Sequence, residues 1–581
     1  MQKRDSLFRS VVLLFLIGII PFYGVAQDDD LRPVTNKYAI KNATIVQAPG
    51  KVIQNGSILI DNGIIKAVGT NISIPSDAWV VYADSMFVYA GFISGLSNIG
   101  VEKSKEERKK LDDKLTGNPP NDYAGITPEK SAADVMSIEE KSVEDFRKLG
   151  FTASHSVNHD GMLPGTGAIV LLGGNSGEDM IIKKDASMYS TLNGANGVYP
   201  NTVIGVMAKY RDMYRKASQA RDYERRYNSN PSGMERPQAD AALEAFYPVV
   251  SKQLPVMFKA EGIKDIMRVK ALQQDLGFNL IFGEVKQGWD AISTFKSLGA
   301  PVFLSLDYPE WKEEKEDKKE EEEEDSEETE EDDDSEKETE EEKEPTPEEL
   351  EEKALKERQL EIIKKYYTQA GLMNSSGVKF GFSTMEVKSK DFKTNILKVI
   401  ENGLSEDQAL AALTTSPASI LGLSGTMGTI ETGKIANLFV ADTAYFTKDA
   451  NVKYVFVDGV KYEYEAKKKK KKKSGGEPAD AAGVWSYSTE TPQGKGEGTI
   501  TIKGTPGDYS GTMTLNFNNS TNEMQNIEVD GGNVTFSVET NVGQDITIEV
   551  SMDIDGDEFE GTLSVAEFGS FPLEGLREPQ N

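Results

Sequence analysis

Apolar and polar positions alternate with the period of a β-strand from residue 37 to residue 89. Tight turns separate the short alternating runs, and Asp61-Asn62-Gly63 stands between two of them. Asn-Gly supplies the positive φ angles that a two-residue hairpin turn requires. A second stretch rich in strand patterns covers residues 425–465. We therefore expect one composite β-sandwich that is built from both ends of a longer segment.

Between these two stretches, residues 90–424 alternate apolar runs with helix-like segments. Several of the helix-like segments end at a glycine, the residue that most often follows the last turn of a helix. The recurring order of helix, glycine and strand indicates βα units and predicts an α/β fold, a closed (β/α)8 barrel of the TIM type. The predicted strands cover residues 91–96, 151–157, 168–174, 255–260, 279–284, 301–306 and 378–384.

The last part of the chain, residues 481–581, consists of short alternating runs separated by glycine-rich turns. Strands spaced by about ten residues are typical of antiparallel all-β domains. We expect a C-terminal β-sandwich or small β-barrel here. No cluster of catalytic residue types is visible in this part.

Charge is distributed very unevenly along the chain. Of the formal net charge of −30, much lies in residues 311–350, which hold 25 acidic residues and 6 lysines. Such a segment cannot bury enough apolar surface to fold, so we expect a disordered acidic insert at residues 312–349, within the barrel. A run of seven lysines lies in a predicted linker at residues 466–480. The strongly acidic balance argues against nucleic acid as a partner.

The first 26 residues have the pattern of a secretory signal peptide. Basic residues precede an apolar run at residues 11–20, and small residues stand at Gly24 and Ala26. We expect cleavage after Ala26, a periplasmic or secreted protein, and no membrane span after cleavage. The absence of cysteine from the sequence excludes disulfides, thiolate metal ligands and a cysteine nucleophile.

Two stretches of the middle region carry a resemblance to a known family. Residues 90–100, AGFISGLSNIG, resemble the first barrel strand of imidazolonepropionase-like amidohydrolases. Residues 404–442 resemble the C-terminal signature of the same family, with Ser416-Pro417-Ala418 followed by Gly433-Lys434 at the matching spacing. The resemblance covers residues 37–462 and implies a metal-dependent hydrolase fold with a composite β-sandwich.

The same resemblance implies metal ligands that this sequence lacks. The His-x-His pair of the first strand is replaced by Leu96 and Asn98, and the histidine of the fifth strand by Lys259. The resemblance implies another acidic or imidazole ligand on the sixth strand, where this sequence has Gly283 with Glu284 beside it. Met385 stands where the eighth strand carries an aspartate. Activating a metal-bound water takes about three imidazole or carboxylate ligands on a rigid frame. We therefore predict no metal site.

A few other residues are weak catalytic candidates. His155 and His159, the two histidines of the sequence, lie four residues apart at the exit of a predicted strand, which places both on one side if the strand continues. They form either a weak replacement metal site, a general acid/base pair or ordinary structural histidines. Glu261 and Glu284 lie at strand ends where barrel chemistry takes place. Lys259 and Asn98 are candidate ligand-binding residues, although Lys259 and Glu261 could instead neutralise each other.

Three functions remain open at this point. The first is a non-catalytic protein that binds a small molecule or pairs with an active amidohydrolase and needs no cofactor. The second is an active hydrolase of carbon–nitrogen bonds in dipeptides or cyclic amides, which would use zinc or a similar divalent metal at an atypical site. The third is a scaffold for the C-terminal domain.

Overall fold

The computed structural model describes residues 36–103, 111–159, 161–309, 347–464, 481–491, 494–505, 508–515, 520–530, 532–541, 545–565 and 569–578. The predicted signal peptide, the lysine-rich linker and almost all of the acidic insert lie outside these residues. The described chain divides into two compact units, with the boundary near residue 466. No helix in the described parts is long and apolar enough to cross a membrane.

The described residues of the first unit form sixteen strands. They are β1 (Lys37–Ala48), β2 (Lys51–Asp61), β3 (Ile64–Gly69), β4 (Trp79–Tyr82), β5 (Phe87–Ala90), β6 (Phe92–Ser97), β7 (Phe151–Ser156), β8 (Gly165–Leu171), β9 (Ile181–Ser190), β10 (Val256–Lys259), β11 (Leu280–Val285), β12 (Val302–Ser305), β13 (Phe380–Ser383), β14 (Leu438–Ala441), β15 (Val452–Val457) and β16 (Val460–Glu463).

The helices of this unit lie mostly between barrel strands. They are α1 (Lys141–Arg147), α2 (Val203–Ser229), α3 (Ala241–Glu244), α4 (Tyr247–Val250), α5 (Ile263–Leu276), α6 (Ile292–Leu298), α7 (Pro347–Ser375), α8 (Ser389–Glu401), α9 (Glu406–Leu413) and α10 (Thr415–Ile420). Helices α5 and α6 end at Gly277 and Gly299, both in the left-handed conformation that the sequence pattern predicts for a helix C-terminus.

Strands β6 to β13 form the barrel and follow one another in space in the order of the sequence. The two edges meet where the backbone N–H of Thr384, just after β13, donates to the carbonyl of Leu96 in β6 at 3.0 Å. Strands β9 to β13 are parallel to one another, so their carboxyl ends lie on the same rim. The predicted α/β barrel is confirmed.

One part of the barrel departs from the predicted alternation of strands and helices. Strand β8 runs antiparallel to both of its neighbours, and β7, β8 and β9 are joined by loops rather than by helices. Strand β9 was not predicted, because its first half, Ile181 to Asp185, is mostly charged and exposed and carries no apolar run. The barrel is therefore built from seven strands in one direction and one in the other.

The two ends of the unit meet in a second eight-stranded sheet. Its order is β16-β15-β14-β5-β1-β2-β3, and β4 pairs separately with β1. The ends are joined where β5 pairs with β14, with Ala90 opposite Leu438 and Phe87 opposite Ala441. Side chains from both ends share one apolar core, as Ile40 of β1 and Phe456 of β15 are both fully buried in it.

The second unit is a closed antiparallel barrel of eight strands, one of the two forms expected for this part of the chain. Trp485 is fully buried in its core, and the guanidinium of Arg577 lies 4.4 Å from the centre of the indole ring. The strands are β17 (Gly483–Thr491), β18 (Gly494–Thr505), β19 (Asp508–Leu515), β20 (Ser520–Asp530), β21 (Asn533–Asn541), β22 (Asp545–Asp555), β23 (Glu558–Val565) and β24 (Gly569–Arg577).

Candidate functional site

Five charged side chains meet at the carboxyl ends of β10 to β13. We call them the mouth network: Glu261, Lys259, Glu386, Lys286 and Asp307. Lys259 pairs with Glu261 at 2.9 Å and also with one oxygen of Glu386. Lys286 pairs with the other oxygen of Glu386 at 2.6 Å and with Asp307 at 2.7 Å. Negative and positive groups therefore alternate along the rim.

The lysines of the mouth network are the more buried members. The side chains of Lys259 and Lys286 are 16% and 21% exposed, whereas those of Glu261 and Asp307 are 43% and 41% exposed. Burial alone would lower the pKa of both lysines, but the carboxylates that hydrogen-bond to them outweigh burial and raise it. Burial alone would raise the pKa of Glu386, but the two lysines outweigh burial and hold this pKa below its usual range.

Glu284 lies beneath this network and is completely buried. Its φ of 52° is in the left-handed region that side chains other than glycine rarely adopt, at an irregularity in the pairing of β11 with β12. One carboxyl oxygen accepts a hydrogen bond from the hydroxyl of Ser305 at 2.6 Å, and the other is hydrogen-bonded to the hydroxyl of Ser383. Burial raises the pKa of Glu284 to about 7, against the opposing effect of the two serines.

The hydrogen bonds around Ser383 bear on the charge state of Glu284. Its hydroxyl oxygen also lies 2.9 Å from the carbonyl of Leu96, which can only accept. A hydroxyl has one hydrogen, so Ser383 cannot donate both to Leu96 and to an ionised Glu284. If Glu284 is protonated, it donates to Ser383 and Ser383 donates to Leu96. The geometry therefore fits a neutral carboxylic acid at Glu284.

The barrel interior next to Glu284 is apolar. Leu96, one of the positions at which the family resemblance implies a metal ligand, is fully buried here. A Cβ on Gly283, another such position, would lie 2.5 Å from a methyl carbon of Leu96. The space between these two positions is therefore filled by hydrocarbon. We call the buried group the apolar plug, and its members are Leu96, Val157, Tyr189, Met257, Ile281 and Phe303.

The remaining positions of the implied metal site are also engaged in other contacts. The amide nitrogen of Asn98 donates to the carbonyl of Val157 at 2.6 Å and so links the ends of β6 and β7. The sulfur of Met385 lies 3.6 Å from the hydroxyl of Tyr189 and packs against the apolar plug. Asn98 therefore uses a donor group to hold the barrel wall together.

The two histidines have separate partners. His155 is fully buried in β7, and its Nε2 lies 2.9 Å from the hydroxyl of Ser187 in β9. Burial lowers the pKa of His155 to about 4, so the ring is neutral at neutral pH. His159 lies in the loop after β7, where its Nε2 is 3.3 Å from the carbonyl of Val101. His155 and His159 do not lie on one side of a continuing strand, because β7 ends at Ser156.

The donor set at the rim does not fit a divalent metal. Such an ion needs several oxygen or imidazole ligands that are free to bind it. At the implied positions the described residues instead offer a hydrocarbon, an amide whose nitrogen donates to a backbone carbonyl, an ammonium group and a thioether. In the described ranges, no group of three or more histidine, aspartate or glutamate side chains is arranged to hold a metal ion.

Sequence reasoning identified only part of the rim. It named Lys259, Glu261 and Glu284, and its suggestion that Lys259 and Glu261 neutralise each other matches the observed ion pair. It missed Lys286, Asp307 and Glu386. Each of these follows a barrel strand by one to three residues, and that placement is a signal that could have been read from the sequence.

Comparisons with known proteins agree with this architecture. Residues 343–461 match the Amidohydrolase family. The structure of an amidohydrolase from Thermotoga maritima MSB8 is 20% identical, with a TM-score of 0.57, and the match covers 74% of this chain and 100% of that one. No curated protein sequence matches significantly.

Two further solved structures are less similar. A Xaa-Pro dipeptidase with bound methionine in the active site has 16% identity and a TM-score of 0.42. A prolidase complexed with N-methylphosphonate-L-proline has 15% identity and a TM-score of 0.40. Both matches cover 74% of this chain and 100% of the other, but with such low TM-scores the fold assignment depends on the Thermotoga structure. Residues 343–461 are therefore similar to the Amidohydrolase family, and the first unit has the fold of the Thermotoga maritima amidohydrolase.

Proposed function

We propose that this protein is exported and uses its amidohydrolase-type barrel to bind a small molecule without metal-dependent hydrolysis. The observation that carries the proposal is the set of side chains at the implied ligand positions. Leu96 is part of the apolar plug, and Lys259 brings a positive charge to a place where a metal ion would be repelled. A barrel with these residues retains a rim but lacks the ligands that activate water.

The charges at the rim suggest the class of ligand. The mouth network presents ammonium and carboxylate groups side by side, with its end carboxylates, Glu261 and Asp307, the most exposed. Exposed ion pairs contribute little to stability and exchange readily for other partners. A zwitterion such as an amino acid or dipeptide could break one end pair. Its carboxylate would then bind the lysine of that pair, and its ammonium group would bind the carboxylate. Pairing with an active amidohydrolase is the other form of this proposal.

A working hydrolase is the second candidate, and one observation favours it. A carboxyl group with a pKa of about 7, as at Glu284, has the property expected of a general acid or base at neutral pH. The same side chain is completely buried and faces two serines rather than solvent. His155, His159 and Glu261 have other partners, so they do not assemble around it. We therefore rank this function second.

The experiment uses the mature chain, residues 27–581, purified from the host that produces it. Bound zinc, iron and manganese are measured, and hydrolysis of dipeptides and hydantoin-like amides is assayed with and without a chelator. We expect substoichiometric metal and no chelator-sensitive turnover. Stoichiometric metal together with turnover that the chelator abolishes would overturn the proposal in favour of the second candidate.

Ligand binding is tested by thermal unfolding in the presence of amino acids, dipeptides, small carboxylates and small amines. A ligand that binds only the folded state raises the unfolding temperature, and the shift grows with the ratio of ligand concentration to dissociation constant. We expect a zwitterion to give the largest shift and Lys259→Gln to remove it, with Lys184→Gln as the control at an ion pair elsewhere on the surface. No shift with any compound would instead favour the partner or scaffold functions.

Export is tested separately. Fractionation of the producing cells, followed by N-terminal sequencing of the mature protein, should find the protein outside the cytoplasm with its first residue at Gln27. An intact Met1 in the cytoplasmic fraction would contradict this part of the proposal.

A further inference from the structure

We propose that the proton on Glu284 controls how firmly the barrel closes between β13 and β6. We call this junction the seam. With the proton present, Ser383 can join the two strand ends through a hydrogen bond to Leu96, and loss of the proton withdraws that bond. The proposal goes beyond the proposed function, because the seam exists whether or not a ligand binds at the rim.

The seam is held by a few hydrogen bonds rather than by strand pairing. Among the described strands, each neighbouring pair from β6 to β13 is hydrogen-bonded along its length, but β13 and β6 are not paired with each other. The carbonyl of Leu96 in β6 accepts from the N–H of Thr384 at 3.0 Å and lies 2.9 Å from the hydroxyl of Ser383. It also lies 3.2 Å from the hydroxyl of Ser94 in its own strand. Closure of the barrel therefore depends in part on one serine side chain.

The hydroxyl of Ser383 has three partners, and their roles are fixed by what each can donate or accept. The N–H of Met385 donates to it at 3.2 Å, and the carbonyl of Leu96 can only accept from it. A hydroxyl has one hydrogen and two lone pairs, so the remaining lone pair needs a donor. The third partner is the carboxyl of Glu284. All three contacts are satisfied together when that carboxyl carries a proton and donates it.

The other oxygen of Glu284 continues the same series of hydrogen bonds. The N–H of Asp307 donates to the hydroxyl of Ser305 at 3.1 Å, and Ser305 donates to Glu284 at 2.6 Å. The pairing irregularity at Glu284 directs its side chain between the two serines, as bulges in barrel strands often do. One proton on Glu284 thus completes a one-directional series of bonds from the end of β12 to Leu96 in β6.

Loss of the proton changes the direction of one bond in this series. An ionised carboxylate can only accept, so the hydroxyl of Ser383 must donate either to Glu284 or to Leu96. A buried carboxylate without a donor is more costly than a carbonyl that keeps other donors. The carbonyl of Leu96 keeps the N–H of Thr384, so we expect Ser383 to turn to Glu284. The seam then loses its hydrogen bond from Ser383.

Charged groups face Glu284 from the ends of four strands. They are Lys259 of β10, Lys286 after β11, Asp307 after β12 and Glu386 after β13, whereas β6 brings no charge. Burial has the largest effect and raises the pKa of Glu284 to about 7, with a smaller contribution from Glu386 and an opposing one from Lys259. Each lysine already bonds to two carboxylates, so neither is free to neutralise an ionised Glu284.

The test uses the full mature chain and two measurements between about pH 5.5 and about pH 8.5. The infrared band of a protonated carboxylic acid reports the charge of Glu284, because ordinary carboxylates are ionised throughout this range. Hydrogen exchange at residues 383–386, followed by mass spectrometry, reports the seam. Parent and Glu284→Gln are compared at each pH, which cancels the intrinsic pH dependence of exchange. The glutamine amide can donate to Ser383 at every pH.

We expect the parent and Glu284→Gln to exchange equally at the acidic end of the range. At the alkaline end the parent should exchange about three- to tenfold faster, the factor that corresponds to one lost hydrogen bond. The infrared band should be present in the parent at the acidic end, should disappear over the same pH range as the protection, and should be absent from Glu284→Gln. Ser383→Ala should exchange rapidly at both ends, because it lacks the hydroxyl that joins the strands.

Controls separate the seam from other titrations. Glu261→Gln removes a different glutamate of the same rim and should leave the pH dependence unchanged. Histidines commonly titrate in this range, so His159→Gln is the second control and should also leave it unchanged. Strand β15 of the composite sheet serves as the reference within the same molecule, and its exchange should be equal in the parent and in Glu284→Gln at every pH.

Each outcome decides the proposal. Loss of the band together with faster exchange in the parent, and slow exchange at every pH in Glu284→Gln, support it. A parent without the band at the acidic end, or the same pH dependence in the parent and in either Glu284→Gln or Ser383→Ala, overturns it. If Glu284→Gln does not fold, the parent decides alone. Its exchange at residues 383–386 must then rise relative to that of β15 as the band disappears, and a constant ratio overturns the proposal.

Discussion

At the scale of single residues, Glu284 is the side chain whose charge state most affects the barrel. The hydroxyl of Ser305 donates to one of its oxygens, and Ser383 can keep its contacts to both Glu284 and the Leu96 carbonyl when Glu284 is protonated. Left-handed backbone at a residue other than glycine costs about 1 to 3 kcal/mol. The surrounding strands hold Glu284 in that conformation, which keeps the acid inside the barrel.

We expect the stability of the protein to depend on pH through Glu284. Its pKa is raised from 4.5 to about 7 on folding, so between these values the folded state holds a proton that the unfolded state has lost. The associated stability is present below pH 4.5 and is lost as pH rises towards 7. The side chain of Glu284→Gln can still donate a hydrogen bond, but it does not titrate. Relative to this variant, the parent should lose on the order of 2 to 3 kcal/mol of unfolding free energy across that window, measured by urea denaturation.

Glu386 should show the opposite dependence and serves as the contrast. Its pKa is lowered on folding, because the two lysines outweigh burial. The stability it contributes is therefore present above its unfolded-state pKa and is lost as pH falls through the lower folded-state value. Relative to Glu386→Gln, the parent should lose its advantage on acidification. If both glutamine variants show the same slope against pH, the assignment of a neutral Glu284 is wrong.

At the scale of the elements, the interior of the barrel depends on close packing between β6 and β12. A Cβ on Gly95 would lie 2.7 Å from Cγ of Phe303, which is a rigid aromatic ring in a fully buried position. The sequence places a glycine at a point where β12, which does not pair with β6, supplies a large side chain to the barrel interior. Side-chain sizes are therefore matched across the barrel.

Gly95→Ala should destabilise the first unit by about 1 to 3 kcal/mol, because it overpacks a closed interior. Phe303→Ala alone should cost about 3 to 5 kcal/mol through the cavity it leaves. In the double variant the added methyl group enters space that the ring has vacated, so the combined cost should be smaller than the sum. Chemical denaturation of the full chain measures all three. Strict additivity would show that Gly95 and Phe303 do not contact each other in solution.

At the scale of the whole molecule, the C-terminal barrel has a core of its own. Strands β17 and β24 pair with each other, with Trp485 opposite Arg577, so the first and last strands of the unit close the barrel. Among the described residues, those of its apolar core all come from the second unit. An independent core and closed edges are the usual requirements for a domain that folds alone.

We therefore expect residues 477–581 to fold when they are expressed separately. Trp485 is the only tryptophan of this fragment, so its fluorescence reports on the core directly. The fragment should unfold in one cooperative transition with a blue-shifted native emission. A shorter fragment that ends at Val565 lacks β24 and should remain unfolded, because β17 and β23 would both be left as open edges. A solvent-exposed Trp485 in the longer fragment would contradict the prediction.

Much of the fold could be predicted because its signals are local. The strand at 302–305 and the glycine after α5 both follow from patterns within about ten residues. The reversed strand β8 could not be predicted, because strand direction leaves no mark in an apolar run such as residues 168–174. In the candidate site, Lys259 and Glu261 are two residues apart in the sequence, and their ion pair was predicted as one alternative. The ion pair of Lys259 with Glu386 joins residues 127 positions apart, and no local pattern indicates it.

By itself, the sequence determined most of the elements and their order, the amidohydrolase-like signature and the absence of imidazole and aspartate at the implied ligand positions. These are properties of residue identity and short-range pattern, which do not depend on the path of the chain. Only the tertiary structure decided that Lys259 and Lys286 share Glu386, and that Glu284 lies between two serines in a buried place that raises its pKa. Those facts depend on which strand ends meet, and burial then sets the charge of each group.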